Sequence, residues 1–227
     1  MQIRIALNTT PEQAQRLLAL QAVFAQACTV LMAVVQQTRI WNRVALHHLA
    51  YKSLRAQFAA MGSQMACNAI YSVSRTCRAL FQSPSSPFYL PARPGKPLPA
   101  VRFEASCPVY FDRHTLSLKA GQISMVTLDG RMRFALALDP EAEALFHTRK
   151  LREVVLRRCE APGAAVPAFE LVFTLDDADT PAGGGADAAS QADVADATEA
   201  DAALAASDIP EYLLIEEPAD APYPAPQ

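Results

Sequence analysis

Acidic residues are almost missing from the first hundred positions, where Glu12 stands alone against ten lysines and arginines, a local charge of +9. After residue 176 the deficit reverses: there is no Lys or Arg and there are twelve acids, a charge of −12. Residues 101–176 are balanced, so the overall −3 hides a basic body and an acidic tail. Such asymmetry points to a polyanionic partner for the body; the plainer alternative is a tail that offsets a basic core for solubility. Cysteine is sparse, five in number with no CxxC pair. With an odd count and no secretory signal read in the sequence, free thiols in a reducing cytoplasm are expected. The four histidines show no metal-ligand spacing, and adjacent His47 and His48 point to different sides of a helix, so no metal site is expected. GxSxG, GxxxxGK[ST] and HExxH are all missing, which removes the commonest hydrolase, nucleotide-phosphate and zinc-protease readings. A clean membrane span is lacking too. The apolar run at 17–35 is broken by Gln21 and Gln26 and reads as a buried amphipathic helix.

What remains is well patterned. "MQIRIAL" alternates like a half-buried strand. "NTTPEQ" then supplies a helix start: Thr10 caps, Pro11 fits the first helical position, and Glu12 suits the positive helix end. Helical spacing continues through Leu17, Leu20, Phe24, Cys28, Leu31 and Val35, with a second helix over about 41–58. A third spans 63–82, with Ser63 as its expected cap. Residues 83–99 contain six prolines and read as a linker or wall-hugging loop. Beyond it the period becomes alternating. "AVRFEA", "VYFDRHTLSL", "QISMVTLDGRMRFALAL", "LREVVLRRCE" and "AFELVFTLD" read as strands, with Asp129-Gly130 marking a hairpin. "APGAAVPA" at 161–168 reads as a looser hairpin loop, and 139–150 as a short helix or turn.

The first strand, separated from the others by helices, is expected to join the later sheet. The fold class is therefore α+β: a small antiparallel β-barrel, residues 1–8 and 100–176, with a helical block at 9–82 inserted after the first strand. Residues 177–227 are Ala/Asp-rich, lack the apolar content to offset the entropy of ordering, and are expected to be disordered. One island there, "IPEYLLIEEP" at 209–218, sets apolar residues between acids. It is either a fluctuation of composition or a short docking motif.

The third helix has an apolar stripe and an opposite face without a single acid: Gln64, Asn68, Tyr71, Ser72, Arg75, Arg78 and Gln82. Guanidinium groups beside an aromatic suit phosphate contacts and base stacking. Asn68, Tyr71, Arg75 and Arg78 are thus candidate nucleic-acid-binding residues. Arg43, Lys52 and Arg55, with Arg39, extend the same basic field. The alternative is a solvated or partner-covered face.

The order of strand, "TPEQ" (Thr10 to Gln13), Trp41-Asn42, Ser63-Gln64 with its helix through Phe81, Val101 to Phe103 and the Asp129-Gly130 hairpin resembles a known family. It is similar to the N-terminal half of the transposon-encoded TnpB (OrfB-type) proteins, RNA-guided nucleases related to type V CRISPR effectors. The likeness covers roughly residues 1–175. It implies a barrel-shaped wedge domain with an inserted recognition domain that grip guide RNA and help read a short DNA motif. In that family the strand equivalent to "FELVFTL" leads into an RNase-H-like domain with metal-binding carboxylates and a CxxC…CxxC ribbon. Here it runs into "DDADTPAGGG". Two-metal chemistry needs carboxylates gathered around ions about 4 Å apart. Asp176 and Asp177 have no such partners after them, so the nuclease is expected to be absent, with no catalytic residue and no cofactor.

Two functions remain. One is a non-catalytic RNA- or DNA-binding module in the cytoplasm, with no small-molecule substrate and no membrane. The other is an accessory protein whose acidic tail engages a transposase or a full-length relative. A Cys107–His114 catalytic pair has nothing in the sequence to join it, and the cysteines read as small buried apolar residues.

Overall fold

A computed structural model describes residues 1–119, 121–136, 145–146, 148–149, 151–159, 167–176 and 209–217. Strand β1 (Gln2–Leu7) is followed by helices α1 (Pro11–Thr38), α2 (Arg43–Gln57) and α3 (Ser63–Phe81). After them come strands β2 (Ala100–Phe103), β3 (Val109–Phe111), β4 (Leu116–Lys119), β5 (Gln122–Thr127), β6 (Gly130–Ala135), β7 (Leu151–Cys159), β8 (Ala168–Leu175) and β9 (Leu213–Glu216).

The start of α1 follows from its sequence. Thr10 accepts from the Gln13 amide while the Gln13 side chain accepts from the Thr10 amide, a reciprocal cap, with Pro11 in the first turn. Leu17, Leu20, Phe24, Cys28, Leu31 and Val35 are all buried, as their spacing requires. By length and composition alone α1 is apolar enough to cross a membrane, yet half of its most apolar window lies buried against the rest of the chain. Asn42 caps α2 by accepting from Val44 and Ala45. The cap of α3 differs from expectation. Gly62, not Ser63, stands at that position, with φ at +77° and no side-chain cap.

The first strand does join the late ones. An antiparallel sheet runs in the order β1-β8-β7-β3, with Ile5 opposite Leu171 and Leu156 opposite both Leu171 and Val109. Buried residues of these strands, consecutive ones in β3 and β7, enter a contiguous core shared with all three helices. The other two sheets are β4-β5-β6 and the pair β2-β9. The mixed α+β class with antiparallel strands holds, but among the described residues none of the sheets closes into a barrel.

Three local differences have physical causes. "VYFDRHTLSL" is two strands, because the Asp112 carboxylate accepts from the His114 and Thr115 amides and turns the chain. The hairpin expected at Asp129-Gly130 closes one residue earlier, between Thr127 and Gly130, with Leu128 and Asp129 at its tip. The Pro-rich 83–99 segment hugs the body through buried Phe88 and Leu98 and contains one short 3-10 turn, Leu90–Ala92. The 161–168 loop and the 139–150 turn fall mostly outside the described residues, as does most of the 177–227 tail. The island within that tail is described, and it is a strand. β9 pairs antiparallel with β2, Leu213 is buried, and Tyr212 stacks on Phe103 at 6.3 Å. The motif docks on its own chain.

Candidate nucleic-acid interface

Every acid that serves the basic first hundred residues, except Glu12, must come from later in the sequence. Arg16 donates to Asp129 at 2.7 Å, Arg93 to Glu217 at 2.7 Å, and Arg4 lies 3.9 Å from Glu170. The largest commitment is Arg75, which is buried and donates twice to Glu153, at 2.9 and 2.6 Å. Tyr71 donates to the same carboxylate at 3.0 Å and meets the Tyr110 ring edge-on. The neighbouring acid holds the Arg75 guanidinium charged against the desolvation that burial imposes.

This corrects the expected site. Three of its residues, Asn68, Tyr71 and Arg75, are engaged inside the protein rather than lined up toward solvent. Asn68 is buried and donates to the Tyr110 carbonyl at 3.0 Å. The acid-free face of α3 is in large part an internal polar seam, closed by Glu153 from β7. Arg55 also turns back, donating to the Phe58 and Ala59 carbonyls, and Arg39 donates to the Lys96 carbonyl.

Arg43, Lys52 and Arg78 are different. Among the described residues none of the three makes a side-chain hydrogen bond or ion pair. Arg43 and Arg78 converge on a notch of about 230 Å³ with Trp41, Asn42, Ser74 and Gln82. Arg43 sits over the Tyr71 ring at 5.3 Å, and the Arg78 Nε is buried without a partner. The notch borders both the N-terminal end of α2 and the C-terminal end of α3, whose dipoles oppose each other, so its positive character comes from the two guanidinium groups. Two guanidinium groups, amides and a hydroxyl with no carboxylate among them make an anion-receiving surface. Lys52 is exposed farther along α2 and does not line the notch. Val44 and Leu49 beside it are exposed apolar residues.

The remaining candidates carry no such geometry. Cys28, Cys77 and Cys107 are buried, and burial pushes the Cys107 thiol up to about 12, while His114 is exposed. Asp176 is paired with Arg152. Among the described residues no group of three His, Cys, Asp or Glu side chains is placed to hold a metal ion. The Arg75–Glu153 pair and the β2–β9 pairing escape sequence reasoning, since each joins segments more than 75 residues apart with no local signal. No protein-family model matches the chain, and no curated protein matches it.

Proposed function

We propose that the protein is a non-catalytic nucleic-acid-binding module that receives phosphates at the α2–α3 notch, with Lys52 as an outlying contact. The observation that carries this is the sorting of cations. Most arginines of the acid-poor region are matched by acids or carbonyls from the rest of the chain. Arg43 and Arg78, which face one notch, are left unmatched among the described residues. Unpaired guanidinium groups, Arg43 in the first turn of α2 and Arg78 in the last turn of α3, suit phosphate better than any neutral partner. The resemblance to the wedge and recognition region of the TnpB proteins supports structured RNA as the first ligand to try. It also supports a cytoplasmic, mobile-element setting in which a transposase or a full-length relative supplies the chemistry.

The test is RNA affinity of the full chain across a salt series. Arg43→Ala with Arg78→Ala is expected to make the log–log salt slope shallower by about 0.7–0.9 per lost phosphate contact, and to change stability by under roughly 0.5 kcal/mol. An unchanged slope overturns the reading.

A further inference from the structure

A second cavity, of about 350 Å³, lies over β7 and β8 and shares no lining residue with the notch. Its floor is Val155 and Val172, on neighbouring strands in register. Tyr110 and Tyr212 stand in its walls, and Arg157 and Arg158 line it as well. The volume falls in the range of small-ligand pockets, roughly 300–1,000 Å³.

Its polar groups are under-used. Arg157 is exposed and makes no hydrogen bond or ion pair among the described residues, and the Arg158 Nε is buried without a partner. Arg158 otherwise reaches only the Ala105 carbonyl at 3.3 Å and Gln21 at 3.5 Å. Neither tyrosine hydroxyl bonds to another described residue. Burial keeps both phenols protonated as donors, pushing Tyr212 up to about 12 and Tyr110 higher still. The one carboxylate in the lining, Glu153, is already met by Arg75 and Tyr71. An apolar floor edged by two tyrosines, whose rings already pack against Arg75 and Phe103, and two guanidinium groups with spare donors match a small planar ring carrying a phosphate. Pro210 and Tyr212, from the tail segment docked on β2, form part of the wall. The cavity is complete only with that segment in place.

We propose that this cavity binds a 5′-phosphorylated nucleotide, either free or at the end of an RNA, with the docked tail segment closing one wall. The proposal rests on the nucleic-acid reading for its ligand class but uses none of the notch residues. The experiment is calorimetric titration of the full chain with adenosine 5′-monophosphate, and with adenosine as the phosphate-free control. A parallel arm compares 5′-phosphorylated with 5′-hydroxyl RNA of one sequence. Adenosine monophosphate is expected to bind, with adenosine weaker by about tenfold or more, the scale of a lost charge-assisted hydrogen bond. Arg157→Gln, an exposed change that leaves packing intact, should weaken the monophosphate by a similar factor. Arg43→Ala with Arg78→Ala should not, which separates a failure here from a failure of the notch. A preference for the 5′-phosphorylated RNA assigns the ligand to a chain end; equal affinity assigns it to the free nucleotide. No binding of the monophosphate at millimolar concentration, or equal binding by Arg157→Gln, overturns the proposal.

Discussion

Arg75 and Arg78 lie on one helix, one turn apart, and meet opposite fates. Arg75 is buried and gripped by a carboxylate delivered from β7. Arg78 faces the mouth between α2 and α3 beside Arg43, and no acid among the described residues reaches it. The local sequence is basic at both places, so the difference lies in what the rest of the chain brings. A cation met by a distant acid becomes structure. A cation left unmet remains available to an anion from outside.

The sharpest way to break this comparison is Glu153→Ala. It strands the Arg75 guanidinium, buried, with only part of its hydrogen bonding, and the loss of a partner from a buried pair costs about 3–5 kcal/mol. Urea denaturation of this variant beside Arg78→Ala gives the contrast directly, since the latter should sit within roughly 0.5 kcal/mol of the parent. Should Glu153→Ala prove equally mild, Arg75 is not structural, and the whole face of α3 returns as a binding surface.

Much of the fold was legible because its signals are local. Thr10, Pro11 and the Leu17–Val35 stripe announce α1, and alternation announces β5 through β8. The joining of β1 to the late strands followed from its isolation before the helices. The lack of acids on the α3 face was legible as well, but its meaning was not. Glu153 lies 78 residues from Arg75, and no periodicity connects them. The barrel failed for a related reason: alternation shows which residues face in, not which strand edges pair. Asp112 hid a turn inside an apparently continuous strand, because an Asx turn needs one side chain and leaves the flanking alternation untouched. Of the expected site residues, Arg43 and Arg78 meet in space because α2 packs on α3, which spacing within either helix does not report.

The tail offers an intermediate case. Glu217 reaches Arg93 at 2.7 Å and Glu216 lies 3.6 Å from Arg102, but the carboxylates are exposed and such pairs add little. What holds β9 is the ladder to β2 together with buried Leu213. Leu213→Asp is therefore expected to undock the strand, removing about 1.5–3 kcal/mol of side-chain burial from that contact while the body stays folded. Hydrogen exchange reads this at the Glu104 amide, which donates to the Tyr212 carbonyl at 2.9 Å. Unchanged protection there shows that β9 is held by something other than Leu213. Neutralising Glu216 and Glu217 instead should leave protection nearly unchanged, if the ion pairs are as minor as their exposure implies.

The smallest effect belongs to Arg16 and Asp129, a distant acid meeting a cation at the surface. The hydrogen bonds from Arg16, then Thr127, hold the Asp129 carboxyl below its usual range. A carboxyl whose folded value is lowered contributes stability that is present above its unfolded value, roughly 3.9, and lost as the pH falls through the folded one. Asp129→Asn removes that titration. Its stability should be slightly lower than the parent's at pH 5 and should converge with it in stronger acid, because the parent alone loses the contribution on protonation. Urea midpoints at pH 5 and pH 3 measure the gap, and Arg16→Gln should shrink it in the same direction. A gap that widens toward pH 3 would reverse the sign and show the carboxylate to be harmful in the folded state. A gap that narrows places this pair at the weak end of the series that Arg75 and Glu153 begin: the same charges from the same two parts of the sequence, with solvent rather than protein around them.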